Sequence, residues 1–186
     1  MSEQMNASQV RIHPWSEEDL PLLHLLNASE MTEHLGGLET EEQIVSRHNR
    51  YVNTLGKESG CMFRVTLLPE MTSVGSVGYW ERSWQGEAVY EIGWSILPTY
   101  QGKGIASAAV AEVIAHCRAE QKHTSIHAFP SVNNAASNRI CRKLNFSLVS
   151  ECDFEYPPGS IMKCNDWRLG LGLGTEGAEK KSLLPG

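Results

Sequence analysis

The chain has no cysteine pair at CxxC spacing and no Cys/His grouping of the kind that closes around zinc. Its five cysteines, Cys61, Cys117, Cys141, Cys152 and Cys164, are odd in number. Reduced thiols in a cytoplasmic compartment are the simplest reading. No apolar run approaches the ~20 residues that span a bilayer, and the polar stretch from Met1 to Gln9 lacks the apolar core of a secretory signal. Positive charge is short as well. Sixteen Lys and Arg stand against 22 Asp and Glu, giving a formal net charge of −6, and the cations are scattered, which argues against a broad nucleic-acid-binding face. No internal repeat is evident. What remains is a soluble, cytoplasmic chain with no membrane and no nucleic-acid partner, and its 186 residues suit one domain.

The pattern along the chain is regular up to Leu169. Gln9 to His13 alternates like a short strand. Ser16 then caps a helix whose first turn holds Glu17, Glu18 and Asp19, with Leu22, Leu23, Leu25 and Leu26 as its expected buried stripe. Gly36-Gly37 breaks the chain, and Thr40 with Gln43 forms a capping box for a second helix ending near Gly56. Cys61 to Leu68, Ser73 to Trp84 and Ala88 to Leu97 read as an antiparallel meander turned at Pro69-Glu70 and Gln85-Gly86.

Beyond Pro98 the spacing of Ile105, Ala108, Ala109, Val113 and Ile114 is helical. A strand at Thr124 to Phe129, a helix at Ala135 to Leu144, and strands from Phe146 and from Ile161 to Leu169 complete the order. This predicts an α+β domain over 1–169 with a mixed sheet, in which the helix between Leu97 and Thr124 joins parallel strands. The Gly- and charge-rich residues 170–186 read as a disordered tail.

The most informative stretch is Ile96 to Ala106. A strand ends at Leu97, a helix starts near Gly104, and Gln101, Gly102 and Lys103 lie between. Such a turn aims several unpaired backbone N–H groups at one point beside the positive end of a helix dipole, a ready phosphate site. Gly102 and Gly104 allow the backbone to approach the ligand. The spacing fits neither a Walker loop nor a dinucleotide fingerprint.

The run resembles the GNAT acetyltransferase signature Q/R-x-x-G-x-G/A, with Gln101, Gly104 and Ala106 in its defining places. A second segment has Asn134 and Ser137 followed by Arg139, Ile140, Lys143, Leu144, Asn145 and Phe146. It is similar to N-x-x-S-x-R-[hydrophobic]-x-x-K-L-G-F of the ribosomal-protein N-terminal acetyltransferase branch. Asn145 replaces the family glycine and is the next-best residue for a left-handed C-cap. The resemblance implies the GNAT fold, a mostly antiparallel seven-stranded sheet with helices on both faces. It also implies acetyl-coenzyme A as co-substrate. Gln101, Gly102, Lys103, Gly104, Ile105 and Ala106 would hold its pyrophosphate, the fourth strand near Ser95, Ile96 and Leu97 its pantetheine arm, and Asn134 the same arm from the other side.

Transfer of an acetyl group to an amine needs a path for the amine proton. Glu91, a carboxylate in an otherwise apolar strand, is the candidate base, since burial raises a carboxylate's basicity; the alternative is a structural carboxylate. Ser137 is the candidate donor to the leaving thiolate, against a surface or back-bonded serine. Cys141, where many relatives carry tyrosine, reads as a packing residue. His123 and His127 read as ordinary strand histidines, with no metal site. Trp80, Trp84 and Trp94 read either as walls of an acceptor pocket or, as aromatics on a meander usually are, as core, and the same applies to Tyr90. Met31 to Tyr51 are the better candidates for one wall of the acceptor cleft, with Glu33 to Gly37 either a mobile part of that wall or merely a turn. The acceptor is a primary amine, either a peptide N-terminus or a small molecule. A non-catalytic acyl-coenzyme A sensor is the alternative, and a homodimer is compatible with the late strands.

Overall fold

The computed structural model describes residues 9–33, 37–54, 59–156 and 158–172. Seven strands form one sheet: β1 (Val10–Pro14), β2 (Gly60–Leu67), β3 (Thr72–Trp84), β4 (Glu87–Ile96), β5 (Ser125–Ala128), β6 (Ser147–Glu155) and β7 (Ile161–Gly170). Their spatial order is β1-β2-β3-β4-β5-β7-β6. Only β4 and β5 run parallel. Parallel neighbours need a long crossover, here supplied by α4 (Ile105–Glu120). The other helices are α1 (Leu20–Leu26), α2 (Ser29–Thr32), α3 (Glu41–Val52) and α5 (Ala135–Lys143). The expected α+β architecture with a mixed, mostly antiparallel seven-stranded sheet is the one observed.

The two faces of the sheet are built by alternation along each strand. Phe63, Val65, Val77, Tyr79, Tyr90, Ile92 and Ile126 face α4, whose Ile105, Ala109, Val110, Val113 and Cys117 are buried against them. The neighbouring Met62 points the other way, into a separate cluster of Trp15, Leu22, Leu23, Leu26 and Ile44 from α1 and α3. Helices therefore cover both faces, and the second face is covered only over its β2–β3 half by these residues.

Several local expectations hold at the level of single bonds. The Thr40 hydroxyl accepts from Gln43 N–H while Gln43 Oε1 accepts from Thr40 N–H, the reciprocal capping box. Asn145 has φ of 62°, with Phe146 N–H donating to Cys141 O and Asn145 N–H to Arg142 O. That is the left-handed helix end for which asparagine substitutes for glycine.

Three details differ. The early region holds three helices, the additional one being the single turn α2. Leu25 is 59% exposed, because it lies on the side of α1 away from Leu22, Leu23 and Leu26. The sheet also runs past the expected boundary at Leu169: Gly170 pairs with Ser125, and Leu171 is buried in the main core. Residues 173–186, Gly36 and Gly56 lie outside the described residues.

The late helix α5 is fixed by one buried side chain. Asn138 Nδ2 donates to Ser131 O at 2.9 Å and Asn134 O at 2.8 Å, while its Oδ1 accepts from Asn165 Nδ2 at 2.7 Å and from Trp167 Nε1 at 2.8 Å. Asn138 is buried, so its removal takes the acceptor away from the Trp167 indole N–H and the Asn165 amide. Asn138→Ala is expected to cost about 3 kcal/mol and to lower Tm by roughly 6–12 °C. Thermal unfolding followed by circular dichroism checks this, and an unchanged Tm would remove Asn138 as the anchor of α5.

Candidate active site

The turn between β4 and α4 has the backbone geometry of an anion cradle. A single 3₁₀ turn, Pro98–Tyr100, folds the chain back, with Tyr100 N–H donating to Leu97 O and Gln101 N–H to Pro98 O. Gly102 and Gly104 then adopt φ of 74° and 82°, the left-handed region that glycine enters without strain. A Cβ built on either glycine meets no atom within 4 Å, so it would project into open space before the loop. The first helical bond of α4 runs from Ala108 N–H to Gly104 O. The amides ahead of it are the unpaired donors of a helix N-terminus. Ile105, nearly fully buried, anchors that first turn in the core.

The expected cradle residues are thus brought together, with distinct contributions. The Gln101 side chain turns away from the open space and donates from Nε2 to Ile96 O at 2.8 Å. It also lies 3.7 Å from Met31 Sδ, which ties α2 to the turn. Lys103 Nζ sits 5.5 Å from the centre of the Tyr100 ring, leaving the exposed ammonium at the mouth of the loop. Gln101 thus braces the turn, and the open space lies in front of Gly102 and Gly104.

Beside the cradle, β4 and β5 separate. Their pairing is confined to Tyr90–Ile126 and Glu91–His127. Leu97 N–H donates to Val74 O across β3. Because backbone groups alternate along a strand, the odd-numbered residues of β4 serve β3, so the Glu91–His127 rung engages the carbonyl of Tyr90 and the amide of Ile92, and Trp94 and Ile96 present their amides to the unpaired edge. Leu97 N–H and the carbonyl of Ile96 are already engaged. Of the backbone groups expected to meet a cofactor near Ser95 to Leu97, the amide of Ile96 remains open, together with that of Trp94. On the far side of the gap, Asn134 Oδ1 caps α5 by accepting from Ser137 N–H at 3.0 Å. Its Nδ2 is the remaining polar group. Ser137 is half-buried on the first turn of α5. Cys141, one helical turn further, is fully buried in the core, and burial pushes its thiol up to about 12.

Glu91 stands on the last paired rung before the strands part. It is buried, and Arg82 Nη1 meets its Oε2 at 2.6 Å. Burial raises its pKa above the usual carboxylate range, while the guanidinium and then the Trp80 side chain, donating to the carboxylate, oppose the rise. Arg82 is itself held between rings, its guanidinium carbon lying 4.4 Å from the centre of Phe154 and 5.4 Å from those of Phe129 and Trp84. Glu91 is therefore a buried carboxylate with a fixed partner.

Two groupings escaped the sequence reading. Arg82 is four strand positions beyond Gly78 and on the same face as Glu91, because the Gln85-Gly86 turn pairs Trp84 with Glu87, Arg82 with Val89 and Trp80 with Glu91. That register follows from a two-residue turn, so the pair was legible in principle. The second grouping was not. His127, expected to be an ordinary strand histidine, is buried with Nδ1 2.6 Å from Asp166 Oδ1, and Asp166 Oδ2 accepts from Trp84 Nε1 at 2.9 Å. It depends on β5 pairing with β7, some 40 residues later in sequence. His123 pairs instead with Glu81. Among the described residues, no group of three or more His, Cys, Asp or Glu side chains is placed to hold a metal ion. Tyr90 is core, as expected, with its hydroxyl donating to Glu120 at 2.5 Å. Trp84 and Trp94 are half-buried, whereas Trp80 is 37% exposed, contrary to the core reading.

The family profile described as acetyltransferase (GNAT) domain matches residues 9–147, more than half of the chain. Over 134 residues, covering 70% of this chain and 71% of the other, the sequence is 31% identical to the uncharacterized N-acetyltransferase YnaD of Bacillus subtilis (strain 168). Among solved structures, the fold is similar to an acetyltransferase from Salmonella typhimurium that modifies the N-terminal serine of ribosomal protein L7/L12. That match has a TM-score of 0.72 and 17% identity, covering 88% of this chain and 95% of that one. It is equally similar to spermidine N-acetyltransferase from Vibrio cholerae, solved with coenzyme A and spermine, with a TM-score of 0.72, 17% identity, and coverage of 89% and 97%. With its glycine cradle, its parted strands and these matches, the chain belongs to the GNAT acetyltransferase family.

Proposed function

We propose that the protein transfers an acetyl group from acetyl-coenzyme A to a primary amine by direct attack of the amine on the thioester. The observation that carries this reading is the continuity of two features: the anion cradle at Gly102–Ile105 opens beside the unpaired edge of β4, which leads to Glu91. A pyrophosphate accepting from the cradle amides would direct the pantetheine arm along that edge. The amides of Trp94 and Ile96 would meet it as an added strand does. Asn134 Nδ2 would contact the arm from α5.

In the transfer, the neutral amine attacks the thioester carbonyl, forming the C–N bond. The carbonyl collapses back with cleavage of C–S and departure of the coenzyme A thiolate. Glu91, directly or through one water, accepts the proton that the amine must lose. Arg82 keeps the carboxylate oriented without neutralising it by proton transfer, since a guanidinium stays charged. The Ser137 hydroxyl supplies a hydrogen bond to the departing sulfur; coenzyme A thiolate is an adequate leaving group, so this contribution is small. A protein N-terminus and a small amine, the acceptor types of the ribosomal-protein and spermidine enzymes, both fit this chemistry. A sensor that binds acyl-coenzyme A without turnover would need the cradle but not a buried carboxylate at the strand junction.

Glu91→Gln is expected to lower kcat roughly 10²-fold with coenzyme A affinity unchanged. Because burial raises the Glu91 pKa, the rate should fall on acidification at a pH above the exposed-carboxylate range, and this limb should vanish in Glu91→Gln. Stopped-flow thiol release from pH 5 to 9 checks both, and wild-type kinetics in the variant would remove Glu91 as base. Gly104→Val places a branched Cβ at φ of 82° in the space before the cradle. It should weaken coenzyme A binding about tenfold or more by calorimetry, leaving the fold intact by circular dichroism. Ser137→Ala should reduce kcat by less than roughly tenfold at saturating donor.

A further inference from the structure

Trp80 is an anomaly on this sheet. It sits at a central position of β3, directly opposite Glu91 of β4, yet it is 37% exposed while its strand neighbours Gly78 and Tyr79 are buried. Its six-membered ring lies over Gly93. A Cβ at that glycine would come within 3.0 Å of Cη2, 3.7 Å of Cζ3 and 4.0 Å of Cζ2. Gly93 leaves room for the indole, whose six-membered ring occupies the space a side chain there would fill. The same side chain donates to the Glu91 carboxylate, and indole N–H is its only donor. One end of the ring is thus tied to the candidate base, and the other extends along β4 toward the edge where β5 has parted.

We propose that the exposed face of Trp80 is the acceptor platform, and that it selects amines carried on an aryl or other flat apolar group. This rests on the transferase reading of the same site. An amine delivered to a thioester lying along Ile92 to Ile96 passes over Gly93, and there the surface offered is the indole face. Among the described residues, the carboxylate beside the ring, Glu91, is already matched by Arg82, so it does not reward a second cationic group on the acceptor. A flat ring stacked on a fixed indole gains dispersion and quadrupole attraction without ordering a mobile side chain.

The test compares two amines of equal charge, phenethylamine and n-butylamine, titrated calorimetrically into protein saturated with coenzyme A. Phenethylamine is expected to bind roughly fivefold tighter or better, with the preference lost in Trp80→Leu and kept in Trp80→Phe, which retains a ring but not the N–H donor. Equal affinities, no measurable binding of either amine, or a preference that survives Trp80→Leu would overturn the proposal. Thiol release from acetyl-coenzyme A in parallel samples reads the transferase assignment separately. Turnover without aryl preference defeats only the platform, and aryl-selective binding without turnover defeats only the transfer.

Discussion

The site depends on a shortage of pairing. β5 has four residues, and only Tyr90 and Glu91 of the ten-residue β4 find partners on it. An unpaired strand edge in the middle of a sheet is costly unless something satisfies it, because buried backbone donors and acceptors seek partners. The protein meets part of that need internally: Gln101 reaches back from the turn to take the carbonyl of Ile96. The amides of Trp94 and Ile96 lie on the part of the edge that β5 leaves unpaired, which is where the proposed function places an extended, amide-bearing arm.

The rest of the molecule holds that gap open. On one side, α4 packs its Ile105, Ala109, Val110 and Val113 into the core under β3 and β4, fixing the cradle at its N-terminus. On the other, Asn138 fastens α5 to the start of β5's loop and to β7 through Ser131, Asn165 and Trp167. At the junction of the strands, Glu91 and Arg82 form a buried pair enclosed by Trp84, Phe129 and Phe154. A buried pair of this kind contributes little net stability, since desolvation offsets attraction. Its retention at the apex of the gap is better understood as positioning of the carboxylate.

Much of this was legible in the sequence where the signal was local. Thr40 and Gln43 announce their helix, Asn145 its left-handed end, and Gln101 to Ala106 a glycine turn from strand to helix, because each is decided within a few residues. The fold class followed from the order of such elements. What escaped needed spatial partners. The exposure of Leu25 depends on which side of α1 meets α3, and the burial of His127 on an aspartate that β7 delivers to its side. Trp80 departs from the rule that aromatic residues in a meander are core; its exposure depends on where α1 and α3 sit, whose apolar residues gather with Trp15 and Met62 and not with Trp80. The Arg82–Glu91 pair lies between these cases, since a two-residue turn fixes its register.

The central claim is that the free edge of β4 receives the pantetheine arm. Amide hydrogen exchange, resolved by residue with and without saturating coenzyme A, tests it directly. The account predicts that exchange at Trp94 and Ile96 slows on binding while Ile92, whose amide serves β5, and Gly93, Ser95 and Leu97, whose amides serve β3, change little. Uniform protection along β4, or protection confined to the turn after it, would contradict the claim.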